Sequence, residues 1–229
     1  MSRNITIAID GHSSTGKSTA AKQLAQHLQY IYVDTGAMYR AVSYFALREN
    51  LINNDLLDSQ QLISKLDDIE ITFKRNEQTD KADVYLNGEN IEQQIRTLEV
   101  SNIVSHVAVI SEVRAKLVAQ QQVMGRDKGV VMDGRDIGTV VFPDAELKVF
   151  MTAAPEVRAQ RRYVELKQRG DEVSLDEVLH NVLERDRIDS TREDSPLVQA
   201  ADAKLLDTST MTRKEQFELL LEWAGEAMD

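Results

Sequence analysis

The sequence predicts an α/β fold: a mostly parallel sheet with helices on both faces, carrying one small antiparallel insert. Three observations support this. Apolar runs such as "ITIAID" (5–10) and "GVVMD" (129–133) alternate with stretches of helical periodicity. The links between them are short. One segment, "DIEITFKRNEQTDKADVYLNGENI" (68–91), departs from that rhythm: it alternates polar and apolar residues and carries Asn87-Gly88, a hairpin-turn signal.

In chain order, residues 5–10 read as a buried strand and 17–28 as a helix with alanines and leucine on its inner face. "YIYVD" (30–34) is a second short strand and 36–49 a second helix. After the 68–91 insert, helical periodicity resumes over about 97–124. Strands at 129–133 and 147–153 follow, separated by a loop with Gly134 and Gly138. Pro155 suits the first turn of a helix reaching about Arg169. Ser174 with Glu177, and Thr212 with Glu215, are spaced as capping boxes for two more helices, with "AKLLDTS" (203–209) as a last strand between them.

The chain has 229 residues, enough for one large domain or a core with appendages. Its formal charge of −11 argues against a nucleic-acid backbone or an anionic membrane as the main partner. With no cysteine there is no thiolate chemistry, and the four histidines (His12, His27, His106, His180) lack ligand spacing for zinc. No run is apolar enough to suggest a signal peptide or a membrane span, so a cytoplasmic location is expected.

Between the first strand and helix lies "GHSSTGKS" (11–18), which fits G-x-x-x-x-G-K-[ST] in its required context. The glycines let backbone N–H groups turn toward an anion, and the helix N-terminus adds positive charge. Lys17 is placed to meet β- and γ-phosphates, and Ser18 to ligate Mg²⁺. A nucleoside triphosphate site follows, and Gly11, His12, Ser13, Ser14, Thr15, Gly16, Lys17, Ser18 and Thr19 are its candidate ATP-binding residues.

Such loops serve switches, motors and kinases. No N-K-x-D follows, as a guanine switch would need, and "VVMDGRD" offers one carboxylate where motor ATPases have "DE". A kinase needs a second anion site and cations that close over the transferred group. "DTGAMYR" (34–40) sets Thr35 at a helix start with Tyr39 and Arg40 one turn in; an N-cap and a solvated arginine are the plainer alternative. "EQQIRTLEV" and "SEVRAKL" each carry one arginine, the second Arg114. In "DGRDIGTVVFPDA" (133–145) two carboxylates flank Arg135 just past a buried strand, where α/β proteins bind ligands, although structural ion pairing would also account for it. Arg158, Arg161 and Arg162 share one helix face, with Glu165 as a competing partner. Arg185, Asp189 and Arg192 share another. Arginine's planar fork suits phosphate oxygens.

Together "GHSSTGKS", "DTGAMYR", "IRTLEVSNIVSHVA", "DGRDIGTVVFPDA", "RRYVEL" and "RDRIDSTREDSPL" resemble the bacterial cytidylate kinases over nearly the whole chain. His12 departs from the proline common in that family, at a variable position. The resemblance implies a three-layer P-loop NTPase-type core with a helical lid, and ATP-dependent phosphorylation of CMP and dCMP with Mg²⁺. It further implies a monomer with small-molecule substrates and no nucleic-acid or membrane partner. Its implied layout is core at 1–34, 97–154 and 173–229, a monophosphate-binding domain at 35–96, and a lid at 155–172. By position Thr35, Arg114 and Asp136 would line the cytosine pocket with Ser105 nearby, and Arg40 and Arg135, beside Tyr39, would hold the acceptor phosphate. Arg185 and Asp189 would meet the ribose, Arg192 the phosphates being exchanged, and Arg158, Arg161 and Arg162 would close over ATP. Lys17, Arg135, Arg185 and Arg192 are then the catalytic cations. A kinase for another acceptor such as UMP or AMP, or a nucleotide-dependent switch, remains the competing expectation.

Overall fold

The computed structural model describes residues 3–53, 56–76 and 81–229. Its elements run β1 (Thr6–Gly11), α1 (Lys17–Leu28), β2 (Ile31–Asp34), α2 (Thr35–Arg48), β3 (Ile52–Asn53), β4 (Leu56–Leu57) and α3 (Ser59–Ser64). They continue β5 (Ile71–Asn76), β6 (Lys81–Leu86), β7 (Glu89–Asn90), α4 (Leu98–Ala108) and α5 (Ser111–Met124). The last are β8 (Val130–Gly134), β9 (Leu147–Thr152), α6 (Pro155–Gln168), α7 (Leu175–Thr191), β10 (Lys204–Asp207) and α8 (Arg213–Met228).

The chain forms two compact units, one holding residues up to Thr35 and from Val118 onward, the other Gly36–Leu117. In the first, five parallel strands lie in the order β10-β9-β1-β8-β2. Every residue of β1 and β8 is buried, which is why these central strands read as nearly continuous apolar runs up to Asp10 and Asp133. One face of the sheet packs Ile5, Ile7 and Ile9 against Leu24 of α1 and Leu220 of α8. The other packs Ala8, Val130 and Met132 with Val33, Ile137 and Val141, and with Val118 and Met124 of α5. The expected parallel sheet with helices on both faces is therefore present.

Both capping boxes form: Ser174 with Glu177 starts α7, and Thr212 with Glu215 starts α8. Pro155 opens α6.

In the second unit the insert is the antiparallel sheet β5-β6-β7, and Asn87 and Gly88 make its tight turn with φ of 50° and 83°. Leu62, Ile71, Val84, Leu86, Ile91 and Ile95 are buried there. Two differences from the sequence reading stand out. The helical stretch 97–124 is two helices, broken at Val109 and Ile110, where Ile110 is 7% exposed and Val109 40%. Both residues are apolar, so the periodicity carries no sign of the break. And α4 with the first half of α5 groups with Gly36–Leu117, whereas the layout implied by the resemblance counts 97–154 with the core. Among the described residues, no helix is long and apolar enough to cross a membrane.

Candidate active site

Parallel register brings two loops out side by side. Asp10 on β1 lies opposite Gly134 on β8, so residues 11–18 and 134–141 leave the same end of the sheet. Asp10 ties them together: its carboxylate accepts from the N–H groups of Ile137 (2.8 Å) and Gly138 (2.7 Å). Burial pushes the Asp10 carboxyl up to about 6 in spite of those two donors.

The 11–18 loop is shaped from outside. Gly11 has φ 143°, and a Cβ there would sit 1.9 Å from the Met151 carbonyl oxygen, so no side chain is tolerated. Gly16, at φ 99°, is the N-cap of α1 and leaves the first helical N–H groups without a side-chain cap. Arg158, 2% exposed, donates to Ser13 O from Nη1 (3.4 Å). Arg161 Nη1 donates to Thr15 O (3.2 Å), which also accepts from Thr208 Oγ1 (2.8 Å). In a trans peptide the carbonyl and the next N–H point opposite ways. Holding the carbonyls of residues 13 and 15 outward therefore turns the N–H groups of Ser14 and Gly16 the other way, as an anion cradle requires.

Lys17 is 5% exposed, and its Nζ donates to His12 O at 2.5 Å. Burial, then the Arg135 charge, bring its ammonium down to about 7 although Asp133 and Asp10 favour the charged form. A polyphosphate beside Nζ restores the charge, so ATP binding at pH 7.5–8 is expected to take up a proton. Binding enthalpies measured in buffers of different ionisation heat check this, and equal enthalpies would contradict it.

Ser18 Oγ donates to Asp133 Oδ2 (2.8 Å) at the end of β8, and Tyr32 Oη on β2 donates to Asp133 Oδ1 (2.8 Å). Thr35 Oγ1 donates to the Asp133 carbonyl (2.7 Å). Arg135 Nε donates to Asp189 Oδ2 (2.8 Å). Burial alone would raise the Asp189 carboxyl, but Arg135 and Arg185 hold it below the usual range. Arg192 is tied by Nε and Nη2 to Ser195 O (2.9 and 2.7 Å). Asp136 is 4% exposed and begins the turn of Ile137–Val141.

The three arginines of α6 divide. Arg158 makes a two-pronged pair with Asp186 on α7 (3.0 and 2.5 Å) and donates from Nε to Ala153 O. Arg161 holds Thr15 O and Thr208, while Arg162 pairs with Glu165 (3.0 Å). His12 Nδ1 lies 3.2 Å from Asp186 Oδ1. The sequence reading did not single out Asp10, Asp186 or Thr208. Asp133 appears in it only as one of the two carboxylates flanking Arg135 just past a buried strand.

The second unit holds its own share of the expected residues. Arg114 is 4% exposed, with its guanidinium 5.8 Å from the Tyr39 ring centre and Nη1 donating to Ala108 O (3.3 Å). Ser105 is buried on α4 and Arg40 half-buried on α2.

A cradle of backbone donors at the end of a central parallel strand, with a buried lysine at its floor, makes this a P-loop nucleotide-binding protein. The arginine–carboxylate pairs at the adjoining strand end suit one that moves phosphoryl groups. The cytidylate kinase family profile matches residues 7–226. "Cytidylate kinase" of Flavobacterium johnsoniae is 61% identical over 99% of this chain and 98% of its own. That of Bacteroides thetaiotaomicron is 54% identical over 99% of each. A solved, uncharacterized protein from Eubacterium ventriosum shares the fold, with a TM-score of 0.52 at 9% identity over 98% of this chain and 99% of its own. The chain belongs to the cytidylate kinase family.

Proposed function

We propose that the protein transfers the γ-phosphoryl group of ATP to a phosphate oxygen of CMP or dCMP, yielding ADP and CDP or dCDP. The observation that carries this is a complete phosphate loop, with Lys17 buried at its floor, in a chain matched end to end by cytidylate kinases. No side chain attacks: the acceptor phosphate oxygen forms the new P–O bond in line as the bond to ADP breaks. The protein supplies position and charge.

Lys17 and the loop N–H groups hold the β- and γ-phosphates. Arg158 and Arg161 act on them through the loop they brace, a role supported by their hydrogen bonds to Ser13 O and Thr15 O. Arg135 holds the acceptor phosphate and Arg192 reaches the phosphates being exchanged, while Arg185 and Asp189 meet the ribose, Asp189 also accepting from Arg135. Ser18 Oγ and the Asp133 carboxylate are hard oxygen donors of the kind Mg²⁺ takes. When bound with ATP, the ion draws charge from the phosphate oxygens. Residues 35–96 are assigned to the monophosphate, with Thr35, Tyr39, Arg40, Ser105 and Arg114 among its contacts, and 155–172 to closure over ATP.

Cytosine is chosen over uracil by Asp136, whose carboxylate accepts from the exocyclic N4 amino group; uracil presents an oxygen there. Asp136→Ala is expected to narrow the CMP/UMP preference in kcat/KM by about 10² or more, because a polar match of this kind leaves buried groups unpaired when it fails. Unaltered selectivity would remove Asp136 from the pocket. The reaction as a whole is tested by ADP release with CMP, dCMP, UMP and AMP side by side. CMP and dCMP should dominate, and turnover led by UMP or AMP would overturn the acceptor assigned here.

A further inference from the structure

Three elements meet at one carboxylate. Asp133, at the end of β8, is 4% exposed; its Oδ2 accepts from Ser18 at the start of α1 and its Oδ1 from the phenol of Tyr32 on β2. A carboxylate turns readily about its last torsion unless both oxygens are held. With Oδ1 tied to Tyr32, Oδ2 is aimed at Ser18. We propose that Tyr32 is a positioning residue for the nucleotide-bound metal: its hydroxyl fixes the Asp133 carboxylate in the orientation that serves the Ser18 metal site. This rests on the reading of Ser18 as a Mg²⁺ ligand.

Ser18 and Tyr32 supply the two side-chain hydrogen bonds to the Asp133 carboxylate, one to each oxygen, and Tyr32 comes from a strand that neither the phosphate loop nor the 134–141 loop belongs to. Partners of this kind, one bond removed from a metal, change affinity by about 10–100-fold when deleted.

The ring also has a packing role beside the β1 and α1 cluster, which phenylalanine preserves. Tyr32→Phe therefore isolates the hydroxyl. The probe is Mn²⁺ titrated into protein saturated with ADP, read from loss of the free-ion paramagnetic resonance signal. Tyr32→Phe is expected to weaken Mn²⁺ binding about tenfold, and to raise the Mg²⁺ concentration for half-maximal velocity in parallel. ADP affinity in the presence of EDTA should stay as in the parent protein. In an Asp133→Asn background the same change should add nothing further, since the phenol acts through that carboxylate.

Parent-like Mn²⁺ affinity in Tyr32→Phe overturns the inference. Ser18→Ala separates the two layers. If it weakens Mn²⁺ while Tyr32→Phe does not, only the role of the phenol falls. If neither variant changes Mn²⁺ affinity, the Ser18 metal site falls with it.

Discussion

Lys17→Ala is expected to lower turnover by about 10²–10³-fold while the protein stays folded. The first half follows from where the ammonium sits. It is the one lysine at the floor of the loop, and a preorganised charge at a developing phosphate charge contributes roughly 3–4 kcal/mol to the transition state. The second half follows from its cost in the fold. Burial and Arg135 drive Nζ down to about 7, so in the absence of phosphate the charged form is disfavoured where it stands. Removing it relieves that penalty, which offsets the loss of its hydrogen bond to His12 O. A coupled ADP assay beside a thermal melt reads both parts. Near-normal turnover, or a melting point lower by more than a few degrees, would contradict this account.

Asp186→Ala is expected to destabilise the fold by about 3 kcal/mol. Arg158 is 2% exposed, and Asp186 is its only carboxylate partner among the described hydrogen bonds and ion pairs. Deleting the carboxylate strands a guanidinium away from water. The effect should carry a pH signature. Burial would push the Asp186 carboxyl up, but His12 and Arg158 reverse this and hold it at about 2, against 3.8 in a free chain. A carboxyl depressed in this way stabilises the fold above pH 4, and the contribution fades as pH falls from about 4 to 2. The gap in unfolding free energy between the parent and Asp186→Asn should therefore shrink over that window. A gap independent of pH would mean that Asp186 acts by shape alone. KM for ATP should rise in the same variant, because Arg158 would lose its hold on Ser13 O.

Local signals were legible and distant partners were not. The phosphate loop, both capping boxes, Pro155 and the Asn87-Gly88 turn rest on residues within a few positions of each other, and each is present as read. The groups that finish the site come from far along the chain. Ser18 meets Asp133, Asp10 meets Ile137 and Gly138, and Thr208 meets Thr15. Helical spacing put Arg158, Arg161 and Arg162 on one face, but it could not say that the first would turn to Asp186, the second to loop carbonyls and the third to Glu165. The break at Val109 and Ile110 was invisible for a different reason. Two apolar residues keep the helical pattern intact while the backbone departs from it.

The phosphate loop takes its curvature from residues more than a hundred positions downstream, since Arg158, Arg161 and Thr208 grip its carbonyls. It is not a portable part. Transplanted into another scaffold, "GHSSTGKS" would keep its spelling and lose its form unless the new host furnished an equivalent outer wall. Sequence tinkering in α6 or beside Thr208, remote from any nucleotide by residue number, would tune the nucleotide grip all the same.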